Sequence, residues 1–252
     1  MRLLWFLLFC IPMAHAKLLV LIIASDHLPV YVELQKIWKS YMHLDPEQVE
    51  AYFLRADPNL PTLVAIDGDV IWAKTSEGWS PDNAGIINKT VLTFEAMLPR
   101  MSEFDYVLRT NLSSFYVFPR LLKSLEYLPK NKCYYASGTD SVSTVGTGCG
   151  FILSRDLVEL IVEHKFEFLD RATPQDDNLI AEFLNKHDIH LTLHPRLDLL
   201  SILDWQKNRS SIPEHLFHFR VKSEPNRLKD DIYIHSQLLN LFYPNHKRLS
   251  TS

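Results

Sequence analysis

The sequence predicts an α/β fold: one domain built on a mixed, mostly parallel sheet with helices on both faces. Short apolar runs alternate with segments whose apolar residues recur at helical spacing. No repeat, low-complexity stretch or Gly/Ser-rich linker divides the chain. With 252 residues and 47% hydrophobic content, the chain has enough apolar material for one sizeable core.

The N-terminus resembles a targeting segment. Arg2 precedes an apolar run that ends in Ala14-His15-Ala16, a small-x-small pattern typical of signal-peptide cleavage. We therefore assign residues 1–16 to a signal peptide and residues 17–252 to the folded domain. We expect the folded domain to reside in the lumen of the secretory pathway or to be secreted. Apolar residues continue after Lys17, so an uncleaved signal anchor that associates with a membrane is the alternative.

Composition excludes several classes of protein. A formal net charge of −4 leaves no basic surplus for a phosphate backbone, so nucleic acid is not an expected partner. Only Cys133 and Cys149 follow the targeting segment, which excludes a disulfide scaffold and a zinc cluster. These two cysteines either form one bridge or remain free thiols.

The first strand is predicted at Leu18 to Ala24, because a wholly apolar run of this length is typical of a strand covered on both faces. A helix follows, since apolar residues recur at helical spacing from Val30 to Tyr41. The next predicted elements are a strand at 63–66, a turn at Asp67-Gly68, a strand at 70–72, a helix at 89–97, a strand at 106–108 and a helix at 118–128.

The second half continues the alternation. Gly146–Gly150 leads into a strand at 151–153, and Ser154 is the predicted cap of the next helix. A further helix begins at Thr173, with Pro174 at its first position, and buries Leu179, Ile180, Phe183 and Leu184. An apolar alternation over residues 216–222 predicts a late strand.

The predicted ligand site lies beyond the carboxyl ends of the strands, as is usual for such sheets. Ser25 follows the first strand, and a loop predicted at residues 109–113 supplies small polar groups after the central strand. We expect these groups to form a donor site with Lys89, in which Lys89 and Arg109 contact phosphate or base.

The same loop resembles the β-1,3-glycosyltransferase (galactosyltransferase/fringe-like) family of the GT-A fold. Members of that family carry an apolar strand, a Lys-Thr pair and then an Asp-Asp-Asp run that holds a divalent cation against the donor diphosphate. Here Thr110 matches the Thr of that pair, whereas Asn111, Leu112 and Ser113 stand where the three Asp residues would be.

Further short matches follow in order along the chain. Gly68–Ile71 is similar to the family's Gly-Asp-Ile-Ile, Lys89-Thr90 to its Lys-Thr, Gly148–Asp156 to its Gly-Gly-Gly-Tyr-Val-Leu-Ser-Arg-Asp, and Pro174–Asp177 to its Pro-Leu-Glu-Asp. The resemblance implies a GT-A fold and a hexosyltransferase-type activity. The donor would be a nucleotide sugar, UDP-linked, and the acceptor a hydroxyl of a glycan, protein or lipid.

The absence of carboxylates at residues 111–113 affects the prediction of a bound metal ion. Neutral oxygens are poor substitutes for the carboxylates that Mg²⁺ or Mn²⁺ prefers, so we expect a divalent cation to be weakly required or absent. Asp67-Gly68-Asp69 offers another DxD pattern, but it fits a hairpin turn between two apolar runs. Asp69 and His218 are the alternative ligands if a cation is bound.

Two carboxylates are candidates for the catalytic base. Asp176 stands three residues after Thr173, the spacing of a helix cap, which leaves Asp177 without a structural task. The resemblance places the catalytic base at Asp177, acting in an inverting transfer. The helix N-terminus should lower the pKa of Asp177 and keep it ionised.

Late basic residues extend the predicted donor site. His218, Arg220 and Lys222 alternate on one face of the late strand and could supply the positive charge that a missing metal leaves unprovided. A solvated strand edge is the alternative interpretation.

Two other function classes remain open. One is a hydrolase, although no Gly-x-Ser-x-Gly elbow is present. The other is a catalytically inactive sugar-binding or scaffold protein that keeps the fold without the metal motif.

Overall fold

The computed structural model describes residues 16–78, 84–140, 143–169, 171 and 176–245. Residues 1–15 of the predicted signal peptide lie outside this range, as do the predicted helix start at Thr173 and Pro174. Within the described part of the chain, no helix has the length and apolar character needed to cross a bilayer.

In the described part of the chain, the main sheet has eight strands: β1 (Leu18–Ile23), β2 (Val49–Ala56), β3 (Val64–Asp67), β4 (Val70–Ala73), β5 (Tyr106–Asn111), β7 (Tyr134–Ala136), β8 (Gly150–Ser154) and β9 (Leu191–Leu193). Their order across the sheet is β3-β4-β2-β1-β5-β8-β7-β9. Strands β4, β2, β1 and β5 run parallel, β8 is antiparallel to both of its neighbours, and β9 is parallel to β7. The predicted α/β class, with its mixed and mostly parallel sheet, is confirmed.

Helices cover both faces of this sheet. They are α1 (Pro29–Lys39), α2 (Gly85–Met97), α3 (Phe118–Leu125), α4 (Arg155–Glu163), α5 (Asp176–Lys186), α6 (Ile202–Asn208) and α7 (Arg227–Phe242), with 3₁₀ turns at Leu98–Glu103 and Lys165–Glu167. The apolar side chains of α1, α3 and α7 form one buried cluster, and those of α2, α4 and α5 form another.

Strand β1 lies between these two clusters. Leu18, Val20 and Ile22 belong to the first cluster, whereas Leu19 and Leu21 belong to the second. Successive residues of a strand face opposite sides, so a strand buried on both sides must be apolar at every position. This is why the sequence alone identified β1.

A small second sheet stands beside the main one. It contains β6 (Ser114–Tyr116), β10 (Leu197–Leu199) and β11 (His218–Val221), in the order β10-β11-β6. Only a two-residue turn, Leu112-Ser113, separates β5 from β6. The second sheet therefore brings the end of β11 next to the end of β5, although the two are far apart in sequence.

The hairpin predicted around Asp67 is confirmed. Strands β3 and β4 pair antiparallel up to Asp67 opposite Val70, and Gly68 between them has a φ of 55°. That left-handed conformation favours glycine. Asp69 lies in this turn and forms an ion pair with Lys39 at 3.0 Å.

Several predicted details differ in the structure. Residues 109–111 form the end of β5, not a loop. Ser154 occupies the cap position of α4, but its hydroxyl donates to Asp156 Oδ1 at 2.6 Å and accepts no hydrogen bond from a helix amide. Strand β2 was not predicted, because Glu50 and Arg55 interrupt its apolar positions; these two residues pair at its ends with Arg100 and Asp26.

Candidate functional site

A cleft of about 650 Å³ lies at the carboxyl ends of β1 and β5. It is lined by Ile23, Ala24, Ser25, His27, Tyr31, Glu77, Gly78, Ile86, Lys89, Asn111, Leu112, Ser113 and Lys222. The structure thus brings together five residues predicted for the donor site: Ser25, Lys89, Asn111, Ser113 and Lys222.

The parallel pairing of β1 and β5 explains this convergence. Ile23, the last residue of β1, is paired with Asn111, the last residue of β5. Both strands therefore end at the same edge of the sheet, where ligands of such folds bind. Ser25 and Ser113 continue from these two ends into the cleft.

Lys89 supplies a buried cation to the cleft. It lies on α2 with 1% of its surface exposed, and its ammonium donates to Glu77 Oε2 at 2.7 Å. Burial lowers the pKa of Lys89, while the charge of Glu77 opposes that shift. Glu77 is partly exposed and also lines the cleft, so the ion pair lies at the cleft wall.

A second cation, Arg227, braces the cleft and was not predicted from the sequence. Its Nη2 donates to Ser113 Oγ at 2.9 Å, and its Nε donates to Asp231 Oδ2 at 3.0 Å. The guanidinium also lies 5.4 Å from the centre of the Tyr31 ring. Arg227 belongs to no recognisable sequence motif, and its partner Ser113 lies 114 residues away in the chain. No local sequence pattern could therefore have identified Arg227 as part of the site.

Arg109 and Asp176 form a buried ion pair and do not line the cleft. Arg109 is 2% exposed and Asp176 7% exposed. Arg109 Nη2 donates to Asp176 Oδ2, and its Nη1 donates to the carbonyl oxygen of Gly148 at 3.1 Å. The guanidinium predicted to contact phosphate thus lies in the interior, and Asp176 has a structural partner other than the predicted helix cap.

Asp177 lies beside Gly148. Its Oδ2 is 3.2 Å from the position that a Cβ on Gly148 would take, and its Oδ1 accepts from the backbone N–H of Asn178 at 3.2 Å. Burial raises the pKa of Asp177, and the charge of Asp176 raises it further. The lowered pKa expected from the helix N-terminus is therefore wrong, because loss of hydration outweighs the helix dipole at this position.

Asn111 connects Asp177 to the cleft. Its Nδ2 donates to the carbonyl oxygen of Gly148 at 2.8 Å, and its Oδ1 accepts from the N–H of Ser113 at 3.0 Å. Asp177 contacts the same Gly148. Asp177 therefore lies partly exposed beside Gly148, next to the cleft but outside its lining.

Three other predicted residues lie outside the cleft lining. The Thr110 hydroxyl donates to the carbonyl oxygen of Cys149 at 2.6 Å, and Arg220 Nη1 lies 3.5 Å from Asp198 Oδ2. His218 is fully buried and stacks on Tyr116 with ring centres 4.4 Å apart. Burial holds the pKa of His218 well below its usual range, so its ring is neutral and supplies no positive charge.

Among the described residues, no group of three or more His, Cys, Asp or Glu side chains is arranged to hold a metal ion. Asp69 and His218, the alternative ligands, occupy the hairpin turn and the buried strand described above. Cys133 and Cys149 are both buried free thiols.

The buried histidines predict that the fold loses stability in acid. Burial lowers the pKa of His194 and of His235 to about 4. In the unfolded chain a histidine takes up its proton near pH 6.5. The free energy of unfolding is therefore unaffected above that pH and falls as the pH drops towards 4. The loss is roughly 3 kcal/mol for each of the two histidines. Urea unfolding at pH 7.5 and pH 4.5, followed by circular dichroism, measures this loss.

The matched control is His194→Phe, because the His194 ring lies 4.8 Å from the rings of both Tyr135 and Phe217, in an aromatic environment that accepts Phe. The variant should lose less stability on acidification than the wild type. An unchanged pH dependence would show that His194 does not cause the effect.

Comparisons with known proteins bear on the fold. No protein-family model and no curated protein matches the sequence. A glycosyltransferase involved in the glycosylation of the major capsid of PBCV-1 is 8% identical, with a TM-score of 0.53 over 87% of this chain and 99% of that chain. Apo mouse xyloside xylosyltransferase 1 is 10% identical, with a TM-score of 0.41 over 81% of this chain and 97% of that one. The first similarity shows that the chain shares the fold of that glycosyltransferase, in agreement with the α/β fold that the sequence predicted.

Proposed function

We propose that this protein is an inverting glycosyltransferase that binds a UDP-sugar in the cleft and transfers the sugar to an acceptor hydroxyl. The observation that carries the proposal is the cleft itself. It joins hydroxyl, amide and ammonium groups at the carboxyl ends of β1 and β5, the edge where ligands bind in such sheets.

The lining of the cleft suits a nucleoside diphosphate. Lys89 and Lys222 provide positive charge, and Ser25 and Ser113 provide hydroxyl groups for phosphate or ribose. The Tyr31 ring, which lines the cleft and contacts His27 and the Arg227 guanidinium, offers an aromatic surface for the base.

A divalent cation does not fit the residues present at the position of the family's Asp run. Both ends of the Asn111 amide are already hydrogen bonded, and Ser113 Oγ accepts from the Arg227 guanidinium. A cation at Ser113 would be repelled by Arg227. We therefore assign the charge of the diphosphate to Lys222 and to Lys89, whose ammonium already pairs with Glu77 in the cleft lining, and no step of the mechanism uses a metal.

Asp177 is the proposed general base. The acceptor oxygen attacks the anomeric carbon from the side opposite the nucleotide, its proton passes to the Asp177 carboxylate, and the bond to the diphosphate breaks with both electrons leaving on phosphate oxygen. The configuration of the sugar inverts. A raised pKa makes the ionised carboxylate a stronger base towards an alcohol than an ordinary aspartate.

Replacing Lys222 by Ala should weaken UDP binding about tenfold, because a charge-assisted hydrogen bond contributes roughly 1.5–3 kcal/mol and Lys222 is exposed at the cleft. Isothermal titration calorimetry with UDP measures the change. Arg220→Ala is the matched control, since Arg220 lies two residues earlier and interacts with Asp198 outside the cleft lining. Equal losses in both variants would point to a general loss of surface charge.

Turnover should persist in EDTA. The assay offers the purified protein a panel of UDP- and GDP-sugars with and without EDTA and measures released nucleotide. The triple variant Asn111→Asp, Ser113→Asp, Arg227→Gln should gain stimulation by Mn²⁺, because it restores two carboxylates where the family has them and removes the cation that would repel the metal. Complete loss of wild-type turnover in EDTA, with recovery in Mn²⁺, would contradict the metal-independent mechanism.

The same panel of sugar donors distinguishes an active transferase from a catalytically inactive scaffold protein. UDP binding without nucleotide release from any sugar donor, in the wild type and in the triple variant, would favour the catalytically inactive sugar-binding protein.

A further inference from the structure

The loop at residues 24–28, between β1 and α1, forms part of the cleft wall. Ser25 and His27 of this loop line the cleft, as does Tyr31 in the first turn of α1. The Ser25 hydroxyl oxygen and His27 Nδ1 are 2.7 Å apart, and the His27 ring lies edge-on to the Tyr31 ring with centres 5.1 Å apart. The hydroxyl and the aromatic ring proposed above for ribose and base therefore belong to one connected group.

A buried glutamine of α1 holds this loop in place. Gln35 is 7% exposed, although the other buried residues of α1 are apolar. Its Nε2 donates to the carbonyl oxygen of Ser25 at 3.1 Å, to Asp26 Oδ1 at 3.0 Å and to the carbonyl oxygen of Tyr31 at 3.1 Å. The amide has two hydrogens for three acceptors, so one hydrogen is shared. Gln35 thus ties both the main chain and a side chain of the loop to the helix.

Arg55 completes the network from β2. Ile23, at the end of β1, is paired with Leu54, so Arg55 lies at the edge of the sheet from which the loop departs. Arg55 Nη2 donates to Gln35 Oε1 at 2.7 Å and to Asp26 Oδ1. Partial burial raises the pKa of Asp26, but its hydrogen bonds with Gln35 and Arg55 and the charge of Arg55 outweigh this effect and lower the pKa. The Asp26 carboxylate therefore stays ionised and paired.

This network can act on a ligand only through the loop. Gln35, Arg55 and Asp26 are not among the residues that line the cleft. A loop that is already fixed binds a ligand more tightly, because less conformational freedom is lost on binding. Lys89 and Lys222, which face the diphosphate in the proposed function, lie on α2 and after β11, so other elements set their positions.

We propose that Gln35 and Arg55 are positioning residues, which hold the loop at residues 24–28 in the shape that receives the nucleoside of the donor. This inference rests on the proposed function. The nucleoside contacts the loop and Tyr31, whereas the diphosphate contacts the two lysines of the cleft. The network therefore sets the affinity for the nucleoside half of the donor and leaves the affinity for the diphosphate half unchanged.

The test measures three ligands on the full chain by calorimetry: UDP directly, and uridine and inorganic pyrophosphate by displacement of UDP. Gln35→Met keeps the length of the side chain and loses its hydrogen bonds. It should weaken the binding of UDP and of uridine about tenfold and leave the binding of pyrophosphate unchanged. Lys222→Ala should give the opposite pattern, with weaker binding of UDP and pyrophosphate and unchanged binding of uridine.

Turnover provides a second readout. Gln35→Met should raise the KM for the sugar donor about tenfold and leave kcat unchanged, because the network affects binding and no reacting atom. Lys36→Ala is the matched control, since Lys36 is the next residue of α1 and its exposed ammonium pairs with Glu33. This control should change none of the three affinities.

Arg55→Met is the second variant and decides alone if Gln35→Met does not fold. The Asp26 side chain that it leaves is 53% exposed, so water can replace the lost partner. Arg55→Met should also weaken the binding of uridine and leave the binding of pyrophosphate unchanged.

Failure of this inference differs from failure of the proposed function. If the wild type does not bind UDP, the proposed function is overturned, and the inference with it. If the wild type binds UDP but the folded variants bind uridine as tightly as it does, only the inference is overturned. Equal losses of uridine and pyrophosphate affinity in these variants would also overturn only the inference, because they would indicate a general distortion of the cleft.

Discussion

Replacing Asp177 by Asn is expected to lower kcat by about 10²–10⁴-fold, the usual contribution of a positioned general base. Asparagine keeps the size of the side chain and most of its hydrogen bonding, but it cannot accept the acceptor proton. UDP affinity should stay unchanged, because Asp177 does not line the cleft. Released nucleotide measures kcat, calorimetry measures UDP binding, and NMR of the product identifies its anomer.

The pH profile provides a second measurement on the same residue. Because the pKa of Asp177 is raised, kcat/KM should begin to fall on acidification at a higher pH than the ordinary value near 3.9 would allow. The fall comes from protonation of the base, so Asp177→Asn should remove this limb of the profile. Wild-type turnover in Asp177→Asn, or a product with the anomeric configuration of the donor, would contradict the mechanism.

Replacing Arg109 by Met is expected to destabilise the fold by about 3–5 kcal/mol, the usual cost of leaving one partner of a buried ion pair without the other. Arg109 and Asp176 are both almost fully buried, so the remaining Asp176 carboxylate would lose its ion-pair partner without gaining contact with water. Urea unfolding at neutral pH measures the loss. The double variant Arg109→Met, Asp176→Leu should recover much of it, because it also removes the unpaired carboxylate.

Lys130→Met is the matched control, since it breaks an ion pair with Asp105 in which Lys130 is exposed. Exposed pairs contribute about 0–1 kcal/mol, so its effect should be small. The folded Arg109→Met protein should bind UDP as the wild type does. A small loss of stability together with weaker UDP binding would instead support the phosphate contact that the sequence predicted.

The sequence predicted the fold class because the central strands satisfy a simple rule. Strand β1 faces an apolar cluster on each side, and burial on both faces requires apolar residues at every position. Strand β2 pairs with β1, yet it escaped prediction because Glu50 and Arg55 lie near its ends and reach ion-pair partners. A charge within a strand is compatible with burial only when the tertiary structure provides the partner.

The location of the cleft also followed from the sequence, because parallel strands deliver their carboxyl ends to one edge. The sequence did not predict how far each side chain lies from the cleft. Arg109 and Asn111 lie on the same face of β5, but Arg109 is two residues, about 6.6 Å, behind the edge. Asn111 reaches the cleft, whereas Arg109 meets Asp176 in the interior.

By itself, the sequence determined the α/β class, the edge of the sheet that carries the cleft, and five of the residues that line it. Only the tertiary structure decided that Arg227 braces Ser113 and that the pKa of Asp177 is raised. The physical reason is that hydrophobic periodicity records which side of an element is buried. Burial depth and charge partners depend on contacts between segments distant in the chain, and these contacts leave no local pattern.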